Sequence, residues 1–201
     1  MNHRCSYRWS VVALAVFLAG LFALPTSAGA QTLSGQARAV QATVFSLLGG
    51  PTTVLADTGA LGGLDARQAS APTGNVPSLL TGDVLHATTI GWPDQVDSEA
   101  SLGDLALSVG GTTIGADSVL ARATAILGGA GVGTSNIGNL SINGVPVPVS
   151  GSPNQTIYIP GGLVVINEQQ TSPASTVVNA LHVTVYGVAD VVIASASAGI
   201  Q

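Results

Sequence analysis

Asp117-Ser-Val-Leu-Ala-Arg-Ala-Thr-Ala-Ile-Leu127 divides cleanly into two faces when it is drawn as an extended chain. Val119, Ala121, Ala123, Ala125 and Leu127 fall on one side, and Leu120, Arg122, Thr124 and Ile126 on the other, because successive side chains of a strand point to opposite faces. The first set is wholly apolar and the second carries an arginine, so the segment predicts a half-buried strand with Arg122 turned to water. Thr176–Tyr186 reads the same way. Val177, Asn179, Leu181, Val183 and Val185 share one face, and Val178, Ala180, His182, Thr184 and Tyr186 share the other.

The pattern extends in both directions. Gly187 interrupts the run before Val188–Ala198 resumes it, which predicts successive antiparallel strands or one bent strand. Gln36–Leu48, Gly82–Ile90, Ser101–Val109 and Thr112–Ile114 are further strand candidates. Leu140-Ser-Ile-Asn-Gly144 sets Asn-Gly between apolar residues, a strong hairpin signal, and Pro146 and Pro148 then require a sheet edge because proline donates nothing to a ladder. Gln155–Ile159, the turn at Pro160-Gly161-Gly162 and Leu163–Asn167 form a second hairpin. Residues 49–78, with paired glycines, Pro72 and Pro77, are expected to be a long irregular surface excursion. No window has a helical apolar repeat. The fold class is therefore all-β, an antiparallel β-sandwich or jelly-roll-like arrangement, with a β-helix as the alternative. Against the β-helix, the similar phrases Val84-Leu-His-Ala-Thr and Ala180-Leu-His-Val-Thr are two instances and not a period.

Residues 1–30 have the three parts of an export signal: Arg4 and Arg8, the apolar run Val11–Leu24, and small residues at Ala28-Gly29-Ala30. The run is shorter than the roughly 20 residues that span a bilayer. A cleaved signal peptide, a single all-β domain over residues 31–201, and a secreted or cell-surface location without an integral span follow as expectations. Cleavage removes Cys5, leaving no disulfide to staple the domain, which must rely on its own core. The chain holds five arginines and no lysine against ten carboxylates, a net charge of −5; loss of Arg4 and Arg8 leaves three arginines and −7. So few scattered cations make no phosphate-binding patch, and nucleic acid is excluded as a partner. Charged residues are only 7% of the chain, against roughly 25% in ordinary domains.

Residues with chemical potential are few. His86 and His182 are the histidines of residues 31–201, each inside an alternating strand, and no Gly-x-Ser-x-Gly elbow accompanies them. Two separated histidines are a poor zinc set. The densest carboxylates, Asp94, Asp97 and Glu99, follow Trp92-Pro93 and are expected in a loop. There they are the candidate ligand-binding residues together with Trp92, and calcium is the one candidate cofactor, although EF-hand spacing is absent. No catalytic residues are assigned. The aromatic residues Phe45, Trp92, Tyr158 and Tyr186 lie on segments far apart in sequence, which argues against a sugar platform.

Leu140-Ser-Ile-Asn-Gly144, Pro153-Asn154-Gln155, Leu163-Val-Val-Ile-Asn-Glu-Gln169, Asn179-Ala-Leu-His-Val183 and Asp190-Val-Val-Ile193, in that order, resemble the choice-of-anchor P family of bacterial surface proteins. The resemblance covers about Gly35–Ala198. It implies an exported domain without established activity, of a kind joined in relatives to different attachment signals, and it supplies no catalytic residues. Ile200-Gln201 brings no sortase motif, span or basic tail, so release or non-covalent association with a cell-wall or extracellular-matrix component is expected. The reading is a secreted, non-catalytic structural or interaction module of the cell surface. The alternatives are an extracellular glycan- or calcium-binding module, self-association through low-charge strand edges, and, ranked last, a hydrolase using His86 or His182.

Overall fold

The computed structural model describes residues 31–46 and 50–201; the export signal read at residues 1–30 lies outside them. Two sheets account for the strands. The six-stranded sheet runs β10 (Gln155–Ile159), β11 (Gly162–Ser172), β12 (Ser175–Val185), β13 (Ala189–Ile200), β1 (Leu33–Val44), β2 (Thr52–Asp57). The seven-stranded sheet runs β3 (Ala66–Val76), β4 (Leu80–Gly91), β5 (Gln95–Val109), β6 (Thr112–Ile126), β8 (Ser141–Ile142), β9 (Val145–Pro146), with β7 (Val132–Gly138) also paired to β6. Every pairing is antiparallel and most join consecutive strands, so the architecture is a sandwich of two meanders rather than a β-helix, whose coils pair in parallel. The sheets meet where β13 packs on β5 and β6.

Among the described residues the buried hydrophobic side chains are all Ala, Val, Leu and Ile, with no aromatic ring. Small side chains let the sheets approach closely. At Gly35 on β1 a Cβ would stand 2.5 Å from Thr89 Oγ1 and 3.0 Å from Val96 Cγ1 of the opposite sheet. Thr89 and Ser98 are buried there and bond each other at 2.7 Å, which satisfies two hydroxyls that would otherwise be costly to desolvate.

The six-stranded sheet reverses the phase of its side-chain alternation along a line crossing five strands at Asn167, Ala180, Ala194, Ala39 and Ala56. The cross-strand register skips this residue at each step. Asn167, Ala194 and Ala56 have φ of 53°, 51° and 48°, the left-handed region that L-residues enter at a cost of roughly 1–2 kcal/mol. In four of the strands two consecutive residues then face inward: Ile166 and Asn167, Ala180 and Leu181, Ile193 and Ala194, Ala39 and Val40. Alanine fills this place in three of the four pairs because two adjacent side chains on one side leave room for only one large one; in the fourth it is Asn167, whose amide is hydrogen-bonded to Gly151 O. The other sheet has a counterpart of opposite sense. Around Val84, Asp104 and Asn139, at φ 50°, 46° and 51°, its consecutive residues face outward.

These inversions correct the reading of Thr176–Tyr186. Leu181, Val183 and Val185 are buried, but so are Thr176, Val178 and Ala180, while Val177 and Asn179 face out. In Asp117–Leu127 the expected phase holds from Val119 to Ala125, with Arg122 exposed. Residues 49–78 are not a structureless excursion, since they contain β2 and β3. Both are edge strands with much of their length open to solvent, which erases the apolar alternation by which strands are read. Asp94–Glu99 is not a loop beyond its first residue: the hairpin turn ends at Asp94, and Asp97 and Glu99 belong to β5. The two hairpins at Asn143-Gly144 and Pro160-Gly161 form as expected, and Pro146 lies on edge strand β9.

Ala194 is fully buried in a left-handed conformation. Ala194→Val should lower stability by about 2–4 kcal/mol through overpacking and backbone strain, whereas Ala194→Gly should cost under about 1 kcal/mol. Urea denaturation midpoints of the two variants measure the difference, and equal losses would contradict the strained line.

Candidate functional site

His182 stands at the centre of the outer face of the six-stranded sheet. Its Nδ1 lies 2.9 Å from Glu168 Oε2 on β11, and its Nε2 lies 3.0 Å from Asp190 Oδ2 on β13. Asn179 Nδ2 donates to the same Glu168 oxygen at 2.7 Å, and the Thr184 hydroxyl donates to Asp190 Oδ2 at 3.0 Å. The line of inverted phase makes this possible. Asn179 and His182 are three positions apart, which in a regular strand puts them on opposite faces, and the inversion between them turns both outward.

Both ring nitrogens face carboxylate oxygens, so both must carry protons, and the ring is an imidazolium. The Glu168 hydrogen bond, opposed by desolvation and aided by Asp190, raises the His182 pKa to about 9. Glu168 is lowered, chiefly by its bond to His182 and against the effect of burial. An imidazolium with both N–H groups engaged has no lone pair with which to accept a proton from a nucleophile. On the same face, Arg38 on β1 bonds Gln36 at 2.6 Å, bonds Gln41, and pairs with Asp57 at 3.4 Å. The other histidine, His86 on β4, meets Gln68 Nε2 at 3.1 Å through its Nε2.

The outer face of the seven-stranded sheet carries an open recess of about 320 Å³ lined by Thr88, Ile90, Asp97, Ser98, Glu99, Arg122 and Thr124. Two of the four residues singled out from sequence, Asp97 and Glu99, meet here because they are two apart on β5. Glu99 is paired with Arg122; Asp97 accepts from Thr124 Oγ1 at 2.5 Å and from Gln95. Asp94 remains in the hairpin turn, where its carbonyl accepts from Leu127 N, and does not line the recess. Trp92 is 41% exposed in the same turn, two residues beyond Ile90, and also lies outside the lining. Among the described residues no three His, Cys, Asp or Glu side chains converge as a metal site. A calcium ion would have to displace Arg122 from Glu99.

Sequence reasoning missed the Glu168–His182–Asp190 cluster. Its members are 14 and 8 positions apart and meet only through strand register, Glu168 opposite Asn179 and Asp190 opposite Thr184. The side chains beside Glu168 satisfy backbone groups: Asn167 Nδ2 donates to Gly151 O and Gln169 Nε2 to Gly133 O, each at 3.0 Å. No described helix is long and apolar enough to cross a membrane. No family model, curated protein or solved structure matches the chain.

The folded histidine binds its proton more tightly than the unfolded one. Its stabilisation is therefore complete below pH 6.5 and is lost as pH rises towards 9; that of Glu168 is complete above 4.5 and is lost on acidification. Thermal melts should show the midpoint falling between pH 6.5 and 9 in the wild type. His182→Gln should be less stable at pH 6 and flat across that window, and a wild-type melt without alkaline decline would refute the ion-paired histidine.

Proposed function

We propose that the chain is an exported, non-catalytic interaction module of the cell surface. The observation that carries this reading is the setting of His182, whose two ring nitrogens are both taken up by carboxylates, while the neighbouring Thr184 hydroxyl, 3.5 Å from Nε2, gives its proton to Asp190 and not to the ring. The export signal read from sequence and the resemblance to choice-of-anchor P surface proteins support the same conclusion. So does the low-charge exterior, which offers hydroxyls, amides and compensated ion pairs to a partner over two open sheet faces.

A second reading, a glycan-binding module, is favoured by the recess on the seven-stranded sheet. Asp97, Glu99, Arg122 and Thr124 offer hydrogen-bonding groups of both kinds beside Ile90, the mixture that orients a sugar in a shallow site. Calcium is the weaker ligand for this place because each carboxylate already has a partner.

Fractionation of producing cells with mass spectrometry should recover protein beginning near Gln31 in the medium or the wall. Recovery of only the uncleaved chain in the cytoplasm would remove the reading. For the recess, calorimetry with neutral oligosaccharides and with calcium should give heat that Asp97→Asn weakens by about tenfold, as loss of one charged hydrogen bond does. No heat with either ligand would dismiss the second reading.

A further inference from the structure

Four aromatic residues follow residue 30, and all of them are exposed: Phe45 at 43%, Trp92 at 41%, Tyr158 at 83% and Tyr186 at 65%. Three of them, remote in sequence, are brought by the register to one end of the outer face of the six-stranded sheet. Tyr158 pairs with Leu163, Leu163 with Thr184, Thr184 with Asp190, and Asp190 with Thr43, which makes one row across five strands. The ladder continues beyond that row, since Tyr186 N donates to Gly161 O at 2.9 Å and Phe45 N to Val188 O at 2.8 Å. Tyr186, in the turn that follows β12, and Phe45, just past the end of β1, therefore stand two residues past Thr184 and Thr43 at the same end of the sheet, with Val188, 42% exposed, in the turn between β12 and β13.

We propose that this end of the sheet is a docking platform for a neutral polysaccharide, with sugar rings laid on Tyr158 and Tyr186. The proposal rests on the reading of the chain as a non-catalytic interaction module and supplies its partner class. The two backbones are about 10 Å apart across the strands and about 7 Å along them, so they lie roughly 12 Å apart, a distance that an extended oligosaccharide segment spans. Rings held on a strand, as Tyr158 is, and in a tight turn, as Tyr186 is, offer large apolar faces at little entropic cost, and tyrosine adds a hydroxyl at its edge. The adjoining row supplies hydroxyls from Thr184 and Thr43. Its one ionic group, Asp190, is already bonded to His182 and Thr184.

Charge selects among polymers. Three arginines against ten carboxylates after residue 30 repel nucleic acid, acidic polysaccharide and anionic lipid, and none of the three arginines lies in these rows. A neutral glycan meets the rings without that penalty.

Affinity gel electrophoresis of the purified protein with laminarin, galactomannan and chitohexaose, and with alginate as the polyanion, tests the proposal. Retardation by at least one neutral glycan and not by alginate is expected. The double variant Tyr158→Ala, Tyr186→Ala should weaken it at least about tenfold with an unchanged melting temperature, while Val132→Ser, at an exposed position of β7 on the other sheet, should bind as wild type. The platform is overturned if no neutral glycan retards the protein, if alginate alone does, or if Asp97→Asn loses binding and the double tyrosine variant does not. It is equally overturned if the tyrosine variant instead abolishes a concentration-dependent dimer. A protein found outside the cell that ignores every glycan sinks the platform and leaves the interaction-module reading standing; cytoplasmic retention sinks that reading itself.

Discussion

Each sheet reverses the phase of its alternation along a line transverse to its strands, and the identity of the outer surface depends on where that line falls. In the six-stranded sheet it places Asn179 and His182, and likewise Arg38 and Gln41, on one face although each pair is three residues apart. The consequence is chemical: Asn179 and His182 both reach the same oxygen of Glu168, and Arg38 bonds Gln41 across the step. The reversal is bought with left-handed backbone at alternate strands. The cost is met by the burial it permits, since Leu181, Ile193 and Val40 beside the line are fully enclosed.

A second constraint is the absence of rings from the core. A sandwich filled by Ala, Val, Leu and Ile closes through small residues and through glycines such as Gly35, and it leaves every aromatic side chain after residue 30 to the exterior. Exposed rings are costly to keep in water. Their collection at the end of one face therefore asks for a reason that packing does not provide. Trp92, on the other sheet, occupies a hairpin turn whose backbone bond to Gln95 fixes it without burying it.

What was legible in sequence was whatever depends on near neighbours. Val119 to Ala125 gave its phase, and Asn143-Gly144 and Pro160-Gly161 gave their turns, because each is a local conformational preference. The inversions were not legible: Ala194 and Ala56 take positive φ without the Gly or Asn that usually marks it, and Ala180 and Leu181 read as ordinary members of an alternating run. β2 and β3 were hidden by exposure at the sheet edges. Of the candidate site, Asp97 and Glu99 line one recess because two residues apart on a strand is a local relation, although the sequence suggested a loop for them. Glu168, His182 and Asp190 are joined by register alone, which only the pairing of three strands discloses.

A weakly charged sandwich has to guard its strand edges if it is to stay apart from its copies. A sheet edge offers unpaired N–H and C=O groups to any other strand, and a chain with 7% charged residues has little general repulsion to oppose it. The protection is local instead. β3 carries Arg67 and Pro72, β9 is two residues long and contains Pro146, β2 holds left-handed Ala56 and the Asp57 that pairs with Arg38, and β10 is short. Beside these guarded edges the two outer faces remain open, and the six-stranded one carries both the ion pairs around His182 and, at one end, the exposed rings.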